Sequence, residues 1–425
     1  MKKSLFALAA VGALAGTAQA QSSVTVYGII DMGLIGGNNY GTTGGAVNSS
    51  AGVVKTTGLG VVSSGESTSR IGFKGMEDLG GGLSALFTYE TAVDPSATTL
   101  ITTTRQAFVG LKKNGVGSFL AGSQNTVIYD AVLASSPNGV NNMGGDLVTL
   151  GVKGLQGQVA ASNSASLGGN QFGLSNNAAY DTRTANALQF KSDVFSGFDA
   201  RAMIIANNKS STQTTAGGAG AGVGGNASSN GYALGLDYTW TKLNLTANWQ
   251  QLNALSNTAA ASTAPIMFGQ GTDSNTSSTV SAGSNVRDAG IYLAANYDFG
   301  VLKAFYQYVN RKATSASAPL YYQKYTANQI GVNSYVTPAI QVFALAAIGK
   351  YQPEAAFNAS SALYTPGTTN LSGYQLGANY WLSKRTNLYA IYGQMEQSNQ
   401  SFGSATANPS AYNMNNYGVG VRHTF

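Results

Sequence analysis

The feature that most constrains this chain is a strict two-residue alternation from Tyr232 to Gln250. Tyr232, Leu234, Leu236, Tyr238 and Trp240 alternate with Ala233, Gly235, Asp237 and Thr239. After Thr241-Lys242 the pattern resumes, with Leu243, Leu245, Ala247 and Trp249 set against Asn244, Thr246, Asn248 and Gln250. A helix would scatter these side chains around its axis. Period two puts every apolar residue on one face, which predicts two half-buried strands joined by a tight turn.

The pattern recurs at 24–34, 69–76, 83–93, 104–111, 117–124, 184–191, 198–206, 231–240, 243–252, 288–298, 301–310, 326–336, 340–350, 371–381, 386–397 and 415–425. That is sixteen strands, an even number. Their connections alternate in length. Short ones lie at 77–82, 112–116, 192–197, 241–242, 299–300, 337–339 and 382–385, whereas 37–68, 207–230 and 253–287 are long and of low complexity. Short turns on one side, long loops on the other and strands of about ten residues are the pattern of a transmembrane β-barrel. Lipid offers no partner for backbone N–H and C=O groups, so a spanning sheet must close and leave no free edge. Sixteen strands enclose a water-filled channel, whereas about eight would be filled by their own side chains.

Composition agrees. Only 9% of residues are charged, against about a quarter in soluble domains. A secreted β-sandwich or β-helix could share the alternation, but its outer face would need far more charge. Tyr232, Trp240, Tyr297 and Tyr380 at strand ends suit interfacial aromatic girdles. Residues 1–20 have the form of a signal peptide: Lys2-Lys3, an apolar centre from Leu5 to Ala15, and Ala18-Gln19-Ala20. The expected organisation is therefore a leader over 1–20 and one barrel over 21–425. The two leading lysines are part of the formal net charge of +6, and no nucleic-acid partner is expected. With no cysteine and a single histidine, His423, disulfide scaffolds, thiol-ligated metals and multi-His sites are excluded. No cofactor or catalysis is expected.

Three segments resemble the general (diffusion) porins of Gram-negative bacteria, most closely the β-proteobacterial type. Ser23-Val24-Thr25-Val26-Tyr27-Gly28-Ile29-Ile30-Asp31 is similar to that family's opening strand. The run from Ser69-Arg70-Ile71-Gly72-Phe73-Lys74-Gly75 to Leu83 resembles its second strand and first turn. Tyr417-Gly418-Val419-Gly420-Val421-Arg422-His423-Thr424-Phe425 resembles its last strand. Weaker matches, Arg105 to Leu111 and Tyr129-Asp130-Ala131, fall between them in order. The resemblance implies a 16-stranded antiparallel barrel with short periplasmic turns, long extracellular loops and a third loop folded inward. It also implies a homotrimer in contact with outer-membrane lipids, and a terminal Phe425 read by the outer-membrane insertion machinery.

Strand parity sorts the charges. Ile71 and Phe73 toward lipid put Arg70 and Lys74 in the lumen; Phe108 taken as outward makes Arg105 lumenal; the stripe from Phe198 to Ile204 turns Arg201 inward. Glu90 and Asp31 are lumenal by the same rule, and Arg183 stands at the start of the sixth strand. An Arg or Lys facing lipid at mid-depth costs about 2–4 kcal/mol, which forces these side chains inward. The resemblance places Arg70, Arg105 and Arg183 in the family's basic constriction cluster. It sets the segment 125–182 opposite them, with Asp130 at its start.

Two departures change the charge there: Ser135 to Met143 carries no carboxylate, and Gly122-Ser123-Gln124 replaces a frequent Gly-Arg-Gln. The expectation is a passive outer-membrane channel for small hydrophilic solutes and ions with weak anion preference. The alternative is a surface-recognition barrel without transport, whose Gly-, Ala-, Ser-, Asn- and Thr-rich loop at 214–230 instead has the composition of flexible coil.

Overall fold

The computed structural model describes residues 23–42, 53–98, 100–149, 183–209, 227–256, 284–315, 322–353, 368–400 and 410–425. The expected signal peptide at 1–20, the low-complexity run at 214–226 and the remainder of the 125–182 segment lie outside them. The strands are β1 (Ser23–Thr42), β2 (Val53–Ser63), β3 (Arg70–Gly80), β4 (Leu83–Val93), β5 (Ile101–Lys113), β6 (Gly117–Asn125), β7 (Arg183–Ser192), β8 (Phe198–Lys209) and β9 (Ala227–Trp240). They continue as β10 (Leu243–Ser256), β11 (Ser284–Asp298), β12 (Lys303–Ser315), β13 (Tyr322–Thr337), β14 (Ile340–Pro353), β15 (Thr369–Trp381), β16 (Thr386–Gln400) and β17 (Ser410–Thr424). One helix, α1 (Val127–Ser135), follows β6.

Every pairing between neighbours from β3 to β17 is antiparallel, and β17 returns to β1 with Ile29 opposite Thr424 and Tyr40 opposite Asn413. On its other edge, β1 pairs with β3 through Ser23–Ile29 and with β2 through Met32–Thr42. β2 and β3 are therefore two halves of one wall strand, interrupted at 64–69, and the closed ring has sixteen positions. This corrects the expectation of one long loop over 37–68: strand residues occupy 37–42 and 53–63. Glycines in Gly58-Leu59-Gly60-Val61 obscure the alternation, yet Leu59 and Val61 point outward.

A buried carboxylate holds the interruption. Asp31 Oδ2 accepts from the backbone N–H of Glu66 (2.8 Å) and Ser67 (2.5 Å), and Oδ1 accepts from the Tyr389 hydroxyl at 2.8 Å. The Asp31 backbone N–H donates to Ser69 Oγ. Removing one partner leaves buried donors unpaired, at about 1–3 kcal/mol each. Asp31→Ala is thus expected to lower the temperature at which the folded barrel loses its compact gel mobility, and Asp31→Asn is expected to do so less.

The short turns use backbone conformations open to few residues. Gly80, Gly81 and Gly82 have φ of +84°, +59° and +75°, and Thr241 in the two-residue β9–β10 turn has φ of +51°. Outward positions carry large apolar side chains, Leu234 and Leu236 among them, while Ala233 and Gly235 between them face in. At the seam, the Gly28 and Phe425 backbones exchange hydrogen bonds at 3.2 Å, and the Phe425 ring lies where Gly28 leaves room for it.

Candidate functional site: the constricted lumen

The constriction is built by the chain that leaves β6. Thr126 caps α1, its hydroxyl accepting from the Tyr129 N–H at 3.3 Å. The helix then crosses the inner wall. Val127 lies against Gly235 of β9, the Ile128 N–H donates to Gln250 Oε1 of β10, and Ser135 Oγ bonds the Tyr292 hydroxyl of β11. Beyond the helix, Asn333 of β13 donates to Pro137 O, and the Tyr325 hydroxyl donates to Leu147 O at 2.6 Å.

Gln375 of β15, fully buried, is the main anchor. Its Oε1 accepts from Asn138 Nδ2 and Asn141 Nδ2, and its Nε2 faces Asn141 Oδ1, Met143 O and Gly144 O at 2.8–3.1 Å. Gly373 and Gly393 on the wall let the Gly144–Gly145 backbone lie directly on the sheet, where a Cβ would collide. Asn416 Oδ1 of β17 accepts from the Gly144 N–H, and Asn142 reaches the interruption, its N–H donating to Gly65 O and its Nδ2 to Ser64 O. The described part of the segment, 125–149, thus runs inside the barrel along β9–β17. The inner face of β3–β7 lies opposite it.

Three guanidiniums stand on that face. Arg105 Nε donates to Glu90 Oε1 at 2.5 Å, Arg70 Nη1 lies 3.8 Å from the same oxygen, and the Tyr27 hydroxyl donates to Glu90 Oε2 at 3.1 Å. Arg70 Nε also donates to Thr68 O. Arg183 stacks on the Tyr129 ring, 5.5 Å from its centroid, and lies within electrostatic range of Arg70. The other named charges sit elsewhere. Asp31 holds the wall interruption, away from these arginines. Asp130 pairs with Lys191 at 2.6 Å, Arg201 pairs with Asp237, and Lys74 lies over the Tyr27 ring at 5.4 Å.

The inward direction of Arg105 has a cause that alternation cannot reveal. Phe108 is opposite Thr88 and Gly122 on the lumenal face, while Val109 and Leu111 face out. The expectation of an outward Phe108 is therefore corrected, and unbroken parity from Val109 would aim Arg105 at lipid. The register slips between Glu90–Gln106 and Thr91–Thr104, leaving Arg105 as the extra residue of a bulge. A bulge re-aims the side chain it carries. Tyr27, Lys191 and Gln375 were not singled out from sequence, although each lies on the inward parity of a recognised strand.

Two of the ion pairs, Lys191–Asp130 and Arg201–Asp237, are internally neutral and project little field. Among the described residues of this cluster, Arg70 and Arg105 meet one carboxylate, Glu90, and Arg183 lies within its electrostatic range, so guanidiniums outnumber the carboxylate by two where the bore is narrowed. At about 7 Å in water a unit charge contributes about 0.6 kcal/mol, close to thermal energy, and more where low-dielectric walls focus the field.

The profile of the Gram-negative porin family matches residues 7–400. An outer membrane porin protein of Bordetella pertussis is 26% identical across the full length of both chains. Outer membrane porin protein 32 of Delftia acidovorans is 49% identical over 90 residues, 21% of this chain and 22% of that one. Among solved structures, an anion-selective porin from Comamonas acidovorans superposes with a TM-score of 0.62 at 20% identity, covering 95% of this chain and all of the other. A closed sixteen-position barrel, an inward segment pinned along one wall and a family match over nearly the whole sequence lead to one conclusion: this chain belongs to the Gram-negative porin family and forms a channel through the outer membrane.

Proposed function

We propose that this channel passes small hydrophilic solutes and ions by passive diffusion and weakly favours anions. The observation that carries the reading is the cluster of three guanidiniums around Glu90, two of them ion-paired with it, where the inward segment narrows the bore. Arg105 braces the wall through Glu90, and the cluster, which among the described residues holds more guanidiniums than carboxylates, raises the local concentration of anions. The name of the Comamonas relative as anion-selective supports this sign. Purified protein in a planar bilayer is expected to give discrete conductance steps and, across a KCl gradient, a reversal potential displaced toward that of chloride. A displacement toward potassium would overturn the anion preference, and a silent folded barrel would favour surface recognition.

The working unit is a homotrimer packed through the wall of β1–β5. Val24, Val26, Leu34, Val61, Phe73 and Val109 are exposed there in a single barrel. Burying such a face is favourable at roughly 25 cal/mol per Å², and an outer membrane protein of Vibrio cholerae with the same fold is described in a trimer form. Val61→Arg with Phe73→Arg is expected to convert the heat-sensitive oligomer to monomer in native mass measurements. An unchanged mass would place the interface elsewhere. Phe425, at the seam with Gly28, is the residue presented to the insertion machinery.

A further inference from the structure

On the periplasmic side of the constriction, a cavity of about 430 Å³ opens under the carboxyl end of α1. Its floor is the lumenal face of β8–β12, carrying Asp199, Asp237, Asn244, Asn296 and Lys303, and Ala134 and Ser135 of the helix form its roof. Asp199 and Lys303 stand at the starts of β8 and β12, next to short turns. A solute that has passed the arginines meets this cavity on its way out.

One end of the cavity is negative. Asp199 and Asp237 are direct partners across β8 and β9, and like charges so placed destabilise a sheet. Arg201 answers part of this, its guanidinium pairing with Asp237. Asp199, half-buried, is within electrostatic range of Arg201 but makes no ion pair among the described residues. The carboxyl end of α1 adds the same sign, since its last turn holds no basic residue to offset the partial negative charge of its final carbonyls. Lys191, also on the rim, is already held by Asp130.

The other end is positive. Lys303 lies over the Phe305 ring, 5.2 Å from its centroid, and makes no ion pair among the described residues. Asp298, its partner across β11 and β12, is engaged in the adjoining turn, where Oδ1 accepts from the Gly300 N–H at 2.7 Å. Between the two ends runs a polar relay. The Thr239 hydroxyl donates to Asn244 Oδ1 at 2.9 Å, and Asn244 Nδ2 donates to Asn296 Oδ1 at 2.8 Å. From β9 to β12 the wall measures about 14 Å, and the Lys303 side chain spans part of it. The remaining gap suits a molecule with an ammonium at one end, a carboxylate at the other and an amide between them.

We infer that this cavity is a solute subsite for short zwitterionic peptides. The ammonium terminus sits on Asp199 below the end of α1, the peptide group on Asn244 and Asn296, and the carboxylate terminus on Lys303. The inference rests on the reading of the lumen as a diffusion path and adds a class of solute to it. A simple anion drawn in by the arginines is not held here, because Asp199 and Asp237 repel it, whereas a molecule carrying both charges satisfies both ends.

The test is a ligand-observed NMR titration of purified, folded protein in neutral detergent. It compares dialanine with N-acetyl-dialanine, which lacks the ammonium, and with dialanine amide, which lacks the carboxylate. Dialanine is expected to bind about tenfold more tightly than either, the loss expected for one charge-assisted hydrogen bond. Asp199→Asn is expected to remove the discrimination against the acetylated form, and Lys303→Gln the discrimination against the amide, each leaving the other in place. Equal binding of the three compounds, or discrimination that both variants retain, would overturn the inference. The titration does not depend on conduction. An anion-favouring channel that binds the three compounds equally would contradict this subsite alone, whereas a barrel silent in a planar bilayer would overturn the diffusion path and with it the solute role of the cavity.

Discussion

Replacing Arg70 and Arg105 together by alanine is expected to abolish the anion preference, bringing the reversal potential in a KCl gradient close to zero. The charge pattern sets the direction. Of the described cluster, one guanidinium, Arg183, then stands near the one carboxylate, Glu90, whereas in the wild type Arg70 and Arg105 meet Glu90 as well. If each net charge contributes about one thermal energy at about 7 Å, the excess of two enriches anions about sevenfold at low salt. Added salt shrinks this, since the Debye length is about 10 Å at 0.1 M. Glu90→Gln moves the potential the other way by removing the one compensating charge. Opposite displacements in the two variants distinguish a field from a brace. If the arginines only braced the wall, both variants would lose thermal stability and neither would change selectivity.

The second large effect is expected at Gln375, which faces the lumen yet touches no solute path. Its amide makes five hydrogen bonds to residues 138–144 from a fully buried position. Gln375→Ala leaves two asparagine side chains and two backbone carbonyls without this partner, at about 1–3 kcal/mol for each group that stays buried and unpaired. Asn142, Tyr325 and the glycine contacts still hold the segment, so the barrel survives while its constriction loosens. Single-channel records should show greater open-state current noise and closure at a lower voltage. Gln375→Glu keeps the acceptor and loses the donor, and should fall between. A quiet Gln375→Ala channel with wild-type closure would mean the segment is fixed elsewhere.

Much of this was legible in the sequence because lipid enforces it. The run from Tyr232 to Gln250 states both faces of β9 and β10, and the seven short turns fall close to where Gly, Asn and Thr break the alternation. Strand ends were less legible. β10 continues to Ser256 and β17 begins at Ser410, past the limits of 252 and 415 read from alternation, because backbone pairing continues where the outward positions turn polar at Gln251 and Asn253 and at Asn413 and Asn415. β2 was missed because its outward stripe is short, with Thr57 and Ser63 on either side of Leu59 and Val61.

The site shows a sharper boundary. Arg70 follows from parity within one strand. Arg105 points inward through a bulge that exists only as a mismatch between β4 and β5, a relation between strands that no single-strand pattern contains. Nor could spacing assign Asp31 to the interruption at 64–69 and Glu90 to the arginines. Both carboxylates face in, and their partners are set by three-dimensional register.

The account rests on opposite environments for adjacent residues of one strand, and the absence of cysteine makes this directly measurable. Thr88, opposite Lys74, faces the lumen, and Tyr89, opposite Phe73, faces out. In a planar bilayer, a membrane-impermeant, negatively charged thiol reagent should cut the current of Thr88→Cys channels in discrete steps and leave Tyr89→Cys channels untouched. Block of the Tyr89→Cys channel, or indifference of both, would contradict it.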